Sequence, residues 1–345
     1  MEKLSITRPD DWHLHVRNGA MLRTVIAHTA QQFGRAMIMP NLKPPICTVA
    51  EALSYREEIL QALPKNANFT PLMSLYLTAN TTVEDVKAVS SSEFVKAFKL
   101  YPAGATTNSD AGVSQLSGIY PILEALEKYD IPLLVHGEVT DAECDIFDRE
   151  RVFLETQLSD IAQKFPALRI VVEHATTKDA VQFVLAHGPN VAATLTPQHL
   201  LYNRNALLVG GIKPHFYCLP ILKREPHRQA LVAAAVSGNP KFFLGTDSAP
   251  HSQALKENHC GCAGCYSAHA ALELYAELFE AENALDKLEG FASLYGADFY
   301  RLPRNNSSIT LAKQEWRVPT SYGEAECTVI PLRAGEVLRW QVVAP

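Results

Sequence analysis

Pro9-Asp10-Asp11-Trp12-His13-Leu14-His15-Val16-Arg17 closes an apolar run that begins at Leu4–Thr7, and its two histidines stand one residue apart. In an extended strand successive side chains alternate faces, so His13 and His15 share a side, and Arg17 follows on it if the extended geometry continues. Two imidazoles offered together at a strand end are metal-ligand chemistry. A His-x-His pair alone is weak evidence, because a single histidine is more often a packed residue than a ligand. What strengthens it is the rest of the chain.

Further short apolar runs occupy 36–39, 70–77, 97–100, 132–135, 169–172, 191–195 and 242–244, which with the first run makes eight. Between them lie stretches with helical spacing: Met21 to Phe33, Val49 to Leu63, Tyr120 to Tyr129, Phe153 to Phe165 and Arg228 to Val236. Crossover helices cover both faces of a parallel sheet, whose strands then read as continuous apolar runs. Eight such units predict an α/β fold, a (β/α)8 TIM barrel, with a metal site at the C-terminal strand ends. The residues at those ends fit: Lys99 in the fourth run, His136 after the fifth, His174 after the sixth and Asp247 after the eighth. We expect one barrel domain over 1–345, with a short C-terminal extension from about 305.

Among the 345 residues, 47% are hydrophobic and 20% charged, which excludes disordered and fibrous classes. A formal charge of -6 offers no long-range attraction to nucleic acid or an anionic membrane, so an anionic ligand needs its own local cation. The sequence carries no export-type apolar segment and no apolar run long enough to span a bilayer, and a cytoplasmic protein is expected. Seven cysteines, three of them in Cys260-Gly-Cys262-Ala-Gly-Cys265, then point to reduced thiols. A zinc knuckle there would need a fourth ligand from His259 or farther away, so a Gly-rich loop with accessible thiols is the preferred reading. The small, polar segment 103–112 after the Lys99 run is expected to be a mobile loop, a candidate lid. His199, Asn203 and Asn205 read as structural loop residues.

Taken together, 9–17, Met39-Pro40-Asn41-Leu42, Lys99-Leu100-Tyr101-Pro102, Leu134-Val135-His136-Gly137-Glu138, Glu173-His174, Thr196-Pro197-Gln198-His199 and Gly245-Thr246-Asp247-Ser248-Ala249-Pro250-His251 resemble the amidohydrolase superfamily and, within it, the dihydroorotases of the shorter bacterial type. The resemblance implies a metal-dependent cyclic amide hydrolase that reversibly cyclises N-carbamoyl-L-aspartate to dihydroorotate plus water in pyrimidine biosynthesis. It implies two zinc ions per subunit: His13, His15 and Asp247 on one, His136 and His174 on the other, and N6-carboxylated Lys99 bridging both. Asp247 would be the catalytic base and then acid; Arg17, Asn41, His251, Ala263 and Leu219 would bind substrate, and Thr106 and Thr107 would touch it from the flexible loop. The implied partners are a small-molecule substrate and a second subunit in a homodimer, with no nucleic acid and no membrane. The lysine has a physical logic, since burial disfavours the ammonium and exposes a neutral amine to carbon dioxide.

Two rivals remain. A hydantoinase or allantoinase would share the zinc chemistry, but those chains resemble longer proteins with a β segment before the His-x-His, for which His13 leaves no room. A non-catalytic relative that kept the barrel and lost its metal conflicts with the complete ligand set.

Overall fold

The computed structural model describes residues 2–343. Its strands are β1 (Lys3–Thr7), β2 (Asp10–Leu14), β3 (Arg35–Ile38), β4 (Thr70–Leu77), β5 (Val95–Leu100), β6 (Leu133–Val135), β7 (Ile170–Val172), β8 (Val191–Leu195), β9 (Phe242–Leu244), β10 (Ser308–Arg317) and β11 (Val337–Val343). Strands β2 to β9 pair in sequence order, all parallel. A bridge between Leu14 and Ser248 closes the ring, flanked by Asp247 N–H to His13 O at 2.8 Å and His15 N–H to Ser248 O at 3.1 Å.

One expected strand divides. Leu4–Thr7 does not run into the first barrel strand; β1 pairs antiparallel with β10, and β10 with β11, in a separate three-stranded sheet. The physical reason lies in the covering of the two segments. Every residue of β2 is buried, as a barrel strand wrapped by helices requires, whereas β1 buries only Ile6 and leaves its alternate positions open. Pro9, which has no N–H to donate, stands between them. The stretch from about 305 thus supplies two strands to this sheet.

Each barrel strand contributes one side chain to an apolar layer inside the ring: Trp12, Met37, Leu72, Ala97, Leu134, Val171, Ala192 and Phe243. Trp12 stacks on Tyr300 at 4.3 Å between ring centroids, and this pair plugs the N-terminal end. A larger apolar cluster fills the space between the strands and the surrounding helices, among them Leu22, Val25 and Ile26 from the helix Gly19–Gln32. Some helices begin where a side chain caps them. Thr48 accepts from Glu51 N–H while the Glu51 carboxylate accepts from Thr48 N–H, and Thr82 with Asp85 repeats the motif.

Candidate active site at the barrel rim

Period two along the strands now places the polar groups. Two residues beyond Ala97, Leu134, Val171, Ala192 and Phe243, and so one layer higher inside the ring, come Lys99, His136, Glu173, Thr194 and Gly245. Gly245 must be glycine, because a Cβ there would come within 2.7 Å of Thr194 and 3.1 Å of His13. The pairing of β2 with β3 slips between Asp11 and Leu14, so His13 faces the axis directly after the inward Trp12. His174 and Asp247 reach the rim through left-handed backbone, with φ of 41° and 44°. Arg17 does too, at φ 60°, so the extended geometry expected to carry it does not continue and a turn delivers its guanidinium instead.

One narrow cleft is lined by His13, His15, Arg17, Asn41, Tyr101, Thr106, Thr107, His136, His174, Leu219, Asp247, Ala249, Ala263 and Gly264. The ring centroids of His15, His13, His174 and His136 follow one another at 5.3, 4.9 and 4.8 Å. Ligand atoms of His13, His15 and Asp247 all lie within 4.8 Å of one another. His15 Nε2 is 3.2 Å and His13 Nε2 3.4 Å from Asp247 Oδ1.

The electrostatics suit a cation at this cluster. Burial pushes His15 down to about 3 and also depresses His136 and His174, so these imidazoles are neutral at pH 7. Burial works against the Asp247 carboxylate, but the His15 hydrogen bond and the nearby histidines outweigh it and hold it at about 2. Neutral imidazoles beside an ionised carboxylate are the protonation states a metal ion requires. Lys99 is wholly buried and its Nζ has no hydrogen-bond partner; burial lowers it to about 8. An isolated buried ammonium is costly and a neutral amine much less so, while an anion made from the amine would need a cation beside it. Nζ lies 5.0 Å from the ring centre of Tyr101, which lines the cleft, so the unpartnered group is available to the site.

Several residues without an assigned role in the sequence hold this arrangement. Glu173 Oε2 accepts from His13 Nδ1–H at 2.7 Å and from Thr194 Oγ1–H at 2.6 Å, and Thr194 Oγ1 in turn accepts His174 N–H at 2.7 Å. One hydroxyl and one carboxylate therefore fix two of the histidines and turn His13 Nε2 toward the cluster. Glu138 lies 2.8 Å from His136 Nε2. Asp11 accepts from His13 N–H, Thr246 N–H and Thr246 Oγ1–H, tying the strand of the paired histidines to that of Asp247. The inward period from Val171 to Glu173 was a usable signal for the first of these.

On the outer side, Arg17 donates from Nε to Pro250 O at 3.1 Å and lies 3.0 Å through Nη2 from His251 Nε2, while Tyr55 hydroxyl holds its carbonyl. Among the described residues no carboxylate pairs with it, so its charge is free for a ligand. His251 Nε2 is also 3.1 Å from Ala263 O, and one ring nitrogen can serve only one of these neighbours at a time. Asn41 donates to Thr107 O at 3.0 Å, with its own Oδ1 unpartnered.

Residues 103–112 differ from an open, solvated loop. Ala105 and Ser109 are buried, internal turns link Gly104 to Ser109, and Asn108 donates to Asn41 O, so the segment lies closed over the cleft with Thr106 and Thr107 inward. The three clustered cysteines also separate: Cys260 is exposed, Cys262 half-buried, and Cys265 buried against Cys218, so the expectation of accessible thiols fails for Cys265. His199 is a buried structural histidine, bonded to Thr196 Oγ1 and Pro220 O; Asn203 holds Glu225, and Asn205 starts a short helix.

Comparison with known proteins bears on the geometry. The amidohydrolase family model matches residues 10–315. A dihydroorotase from Synechocystis sp. is 63% identical over 343 residues, covering 99% of this chain and 100% of that one. The crystal structure of dihydroorotase from Campylobacter jejuni superposes with a TM-score of 0.91 at 37% identity, over 99% of this chain and 97% of that one. That of dihydroorotase in complex with 5-fluoroorotic acid from Saccharomyces cerevisiae gives 0.91 at 34% identity, over 99% of each chain.

Proposed function

The chain belongs to the dihydroorotases of the amidohydrolase family, and on that premise we propose that its rim cleft opens and closes the ring of dihydroorotate and would hold two zinc ions together with a carbamate on Lys99. The observation that carries this is the convergence of His13 and the neutral His15, His136 and His174 with ionised Asp247 around a buried lysine that has no partner. His13, His15 and Asp247 would hold one ion and His136 and His174 the other, with the Lys99 carbamate between them. Bound there, the ions supply a water acidified toward neutrality and a polarised carbonyl.

The side chains do the rest. In ring opening the Asp247 carboxylate takes the proton of the attacking water and returns it to the departing amide nitrogen; in ring closure, to N-carbamoyl-L-aspartate's loss of water, the same steps run backward. Arg17 holds the substrate carboxylate through its free N–H groups, supplying the local cation that a chain of net charge -6 lacks overall. Asn41 and His251 act beside it, and Ala263 and Leu219 line the same cleft, with Ala263 O next to His251. Thr106 and Thr107 close over the ligand and exclude water. Two copies of the chain would associate as a homodimer, and the cytoplasm is the compartment that suits free thiols.

Metal analysis of the purified protein, combined with turnover of dihydroorotate, tests the reading. About two zinc ions per chain and loss of turnover to a chelator are expected. Full activity in metal-free protein would refute it.

A further inference from the structure

Lys256 ends the short helix Gln253–Lys256 and is only 3% exposed, yet its acceptors are all backbone carbonyls. Nζ donates to Tyr217 O at 2.7 Å, Cys262 O at 2.7 Å and Gly264 O at 2.8 Å. An ammonium has three N–H donors, and here each one is used. Burying that charge is costly, so a fully satisfied ammonium at this spot has a purpose to be found.

The three carbonyls belong to the two segments that face the cleft. Cys262 and Gly264 flank Ala263, and Tyr217 stands two residues before Leu219; both Ala263 and Leu219 line the cleft. Successive carbonyls of an extended segment point in opposite directions. With Cys262 O and Gly264 O drawn toward Lys256, Ala263 O is turned the other way, where His251 Nε2 lies at 3.1 Å and Thr107 Oγ1 at 3.4 Å. Gly264 N–H donates to Tyr217 O at 2.9 Å, so the two segments share one acceptor with the ammonium. Gly264 itself has φ +152°, and a Cβ would meet Ala249 O at 2.5 Å, so the chain here has little slack.

We propose that Lys256 is a positioning residue: its ammonium pins the 262–264 and 217–219 segments so that Ala263 and Leu219 present a fixed wall to the substrate. This rests on reading those two residues as substrate contacts. The carbonyl triad is in effect a small cation site whose cation is tethered. Arginine cannot replace it, because a planar fork does not direct three N–H groups at three converging carbonyls.

The test uses the full-length protein and two readouts. In Lys256→Ala, KM for dihydroorotate rises about tenfold or more while kcat changes by less than about threefold, the pattern of a lost ground-state and transition-state wall. Cys265, buried in the native protein, becomes labelled by a thiol reagent at an increased rate, read by peptide mapping. Added ammonium chloride lowers both effects, whereas tetramethylammonium chloride at the same ionic strength, too large for the site, does not; Lys256→Arg behaves like the alanine variant. If Lys256→Ala fails to fold, Lys256→Gln, which keeps two donors on a shorter stem, carries the same expectation. Unchanged KM with unchanged Cys265 labelling overturns the proposal. Wild-type protein that does not turn over dihydroorotate instead overturns the functional reading, while the labelling and its ammonium rescue still judge Lys256.

Discussion

Lys99 offers the sharpest prediction, because its surroundings set a rate as well as a role. Burial lowers its amine from 10.5 to about 8, so in metal-free protein at pH 7 about 9% of the amine is neutral, against about 0.03% for an ordinary lysine, a gain of roughly 300-fold. Only the neutral amine attacks carbon dioxide. Reactivation of chelator-stripped protein by zinc at a fixed concentration of dissolved carbon dioxide should therefore quicken about ninefold from pH 6 to 7, about fivefold from pH 7 to 8, and level off above about pH 9. The assay is the first-order recovery of dihydroorotate turnover after zinc and carbon dioxide are added together. Lys99→Arg, which keeps a cation and cannot form a carbamate, recovers nothing, and small carboxylic acids restore part of the activity of Lys99→Ala. Recovery that is equally fast at pH 6 and pH 8, or that proceeds in carbon-dioxide-free buffer, would refute the reasoning, as would near-normal turnover in Lys99→Arg.

Arg17→Met removes a charge-assisted bond of about 1.5–3 kcal/mol and should lower kcat/KM by roughly 10- to 150-fold; unchanged kinetics would remove the residue from the site. Glu173→Gln loses the carboxylate that accepts from His13 Nδ1–H at 2.7 Å, and zinc affinity, measured by chelator competition, should fall about 10- to 100-fold. An unchanged affinity would mean His13 is held by other means. Burial raises the Glu273 carboxyl from 4.5 to about 7, and it accepts Val342 N–H from the three-stranded sheet. Because the folded pKa lies above the unfolded one, its stabilisation is full below about pH 4.5 and is lost as pH rises through about 7, at most about 3 kcal/mol. Glu273→Gln should flatten that decline in thermal unfolding between pH 4.5 and 8, and parallel wild-type and variant curves would contradict it.

The barrel was legible because a parallel strand covered on both faces leaves an apolar run whatever its partners are. The runs 70–77, 191–195 and 242–244 coincide with β4, β8 and β9. The rim histidines were legible because the turn after each inner run carries them. The period of the run 169–172 turns Glu173 inward, but the roles of Glu173 and Asp11 lie in partners 160 and 235 residues away, which that period does not name. Arg17 was aimed correctly for the wrong reason, since the left-handed turn at φ 60° has no mark in a sequence that holds arginine rather than glycine there. Likewise Leu4–Thr7 has the composition of a barrel strand, and only the distant β10 shows which sheet it joins.

The seam between β2 and the segment after β9 has a meaning in time as well as in space. Thr246 meets Asp11 across 235 residues of chain, and Asp247 meets His13 beside them. A ribosome delivers the paired histidines long before their carboxylate partner, so a nascent barrel waits with an unpaired edge on β2 while the other barrel strands are made. Contacts this remote in sequence make ring closure slow relative to the local βα units. The His13–His15–Asp247 cluster comes into being only at that last event, and an ion captured by it would latch the first strand to the last, making uptake of the ion a signal that the ring has shut.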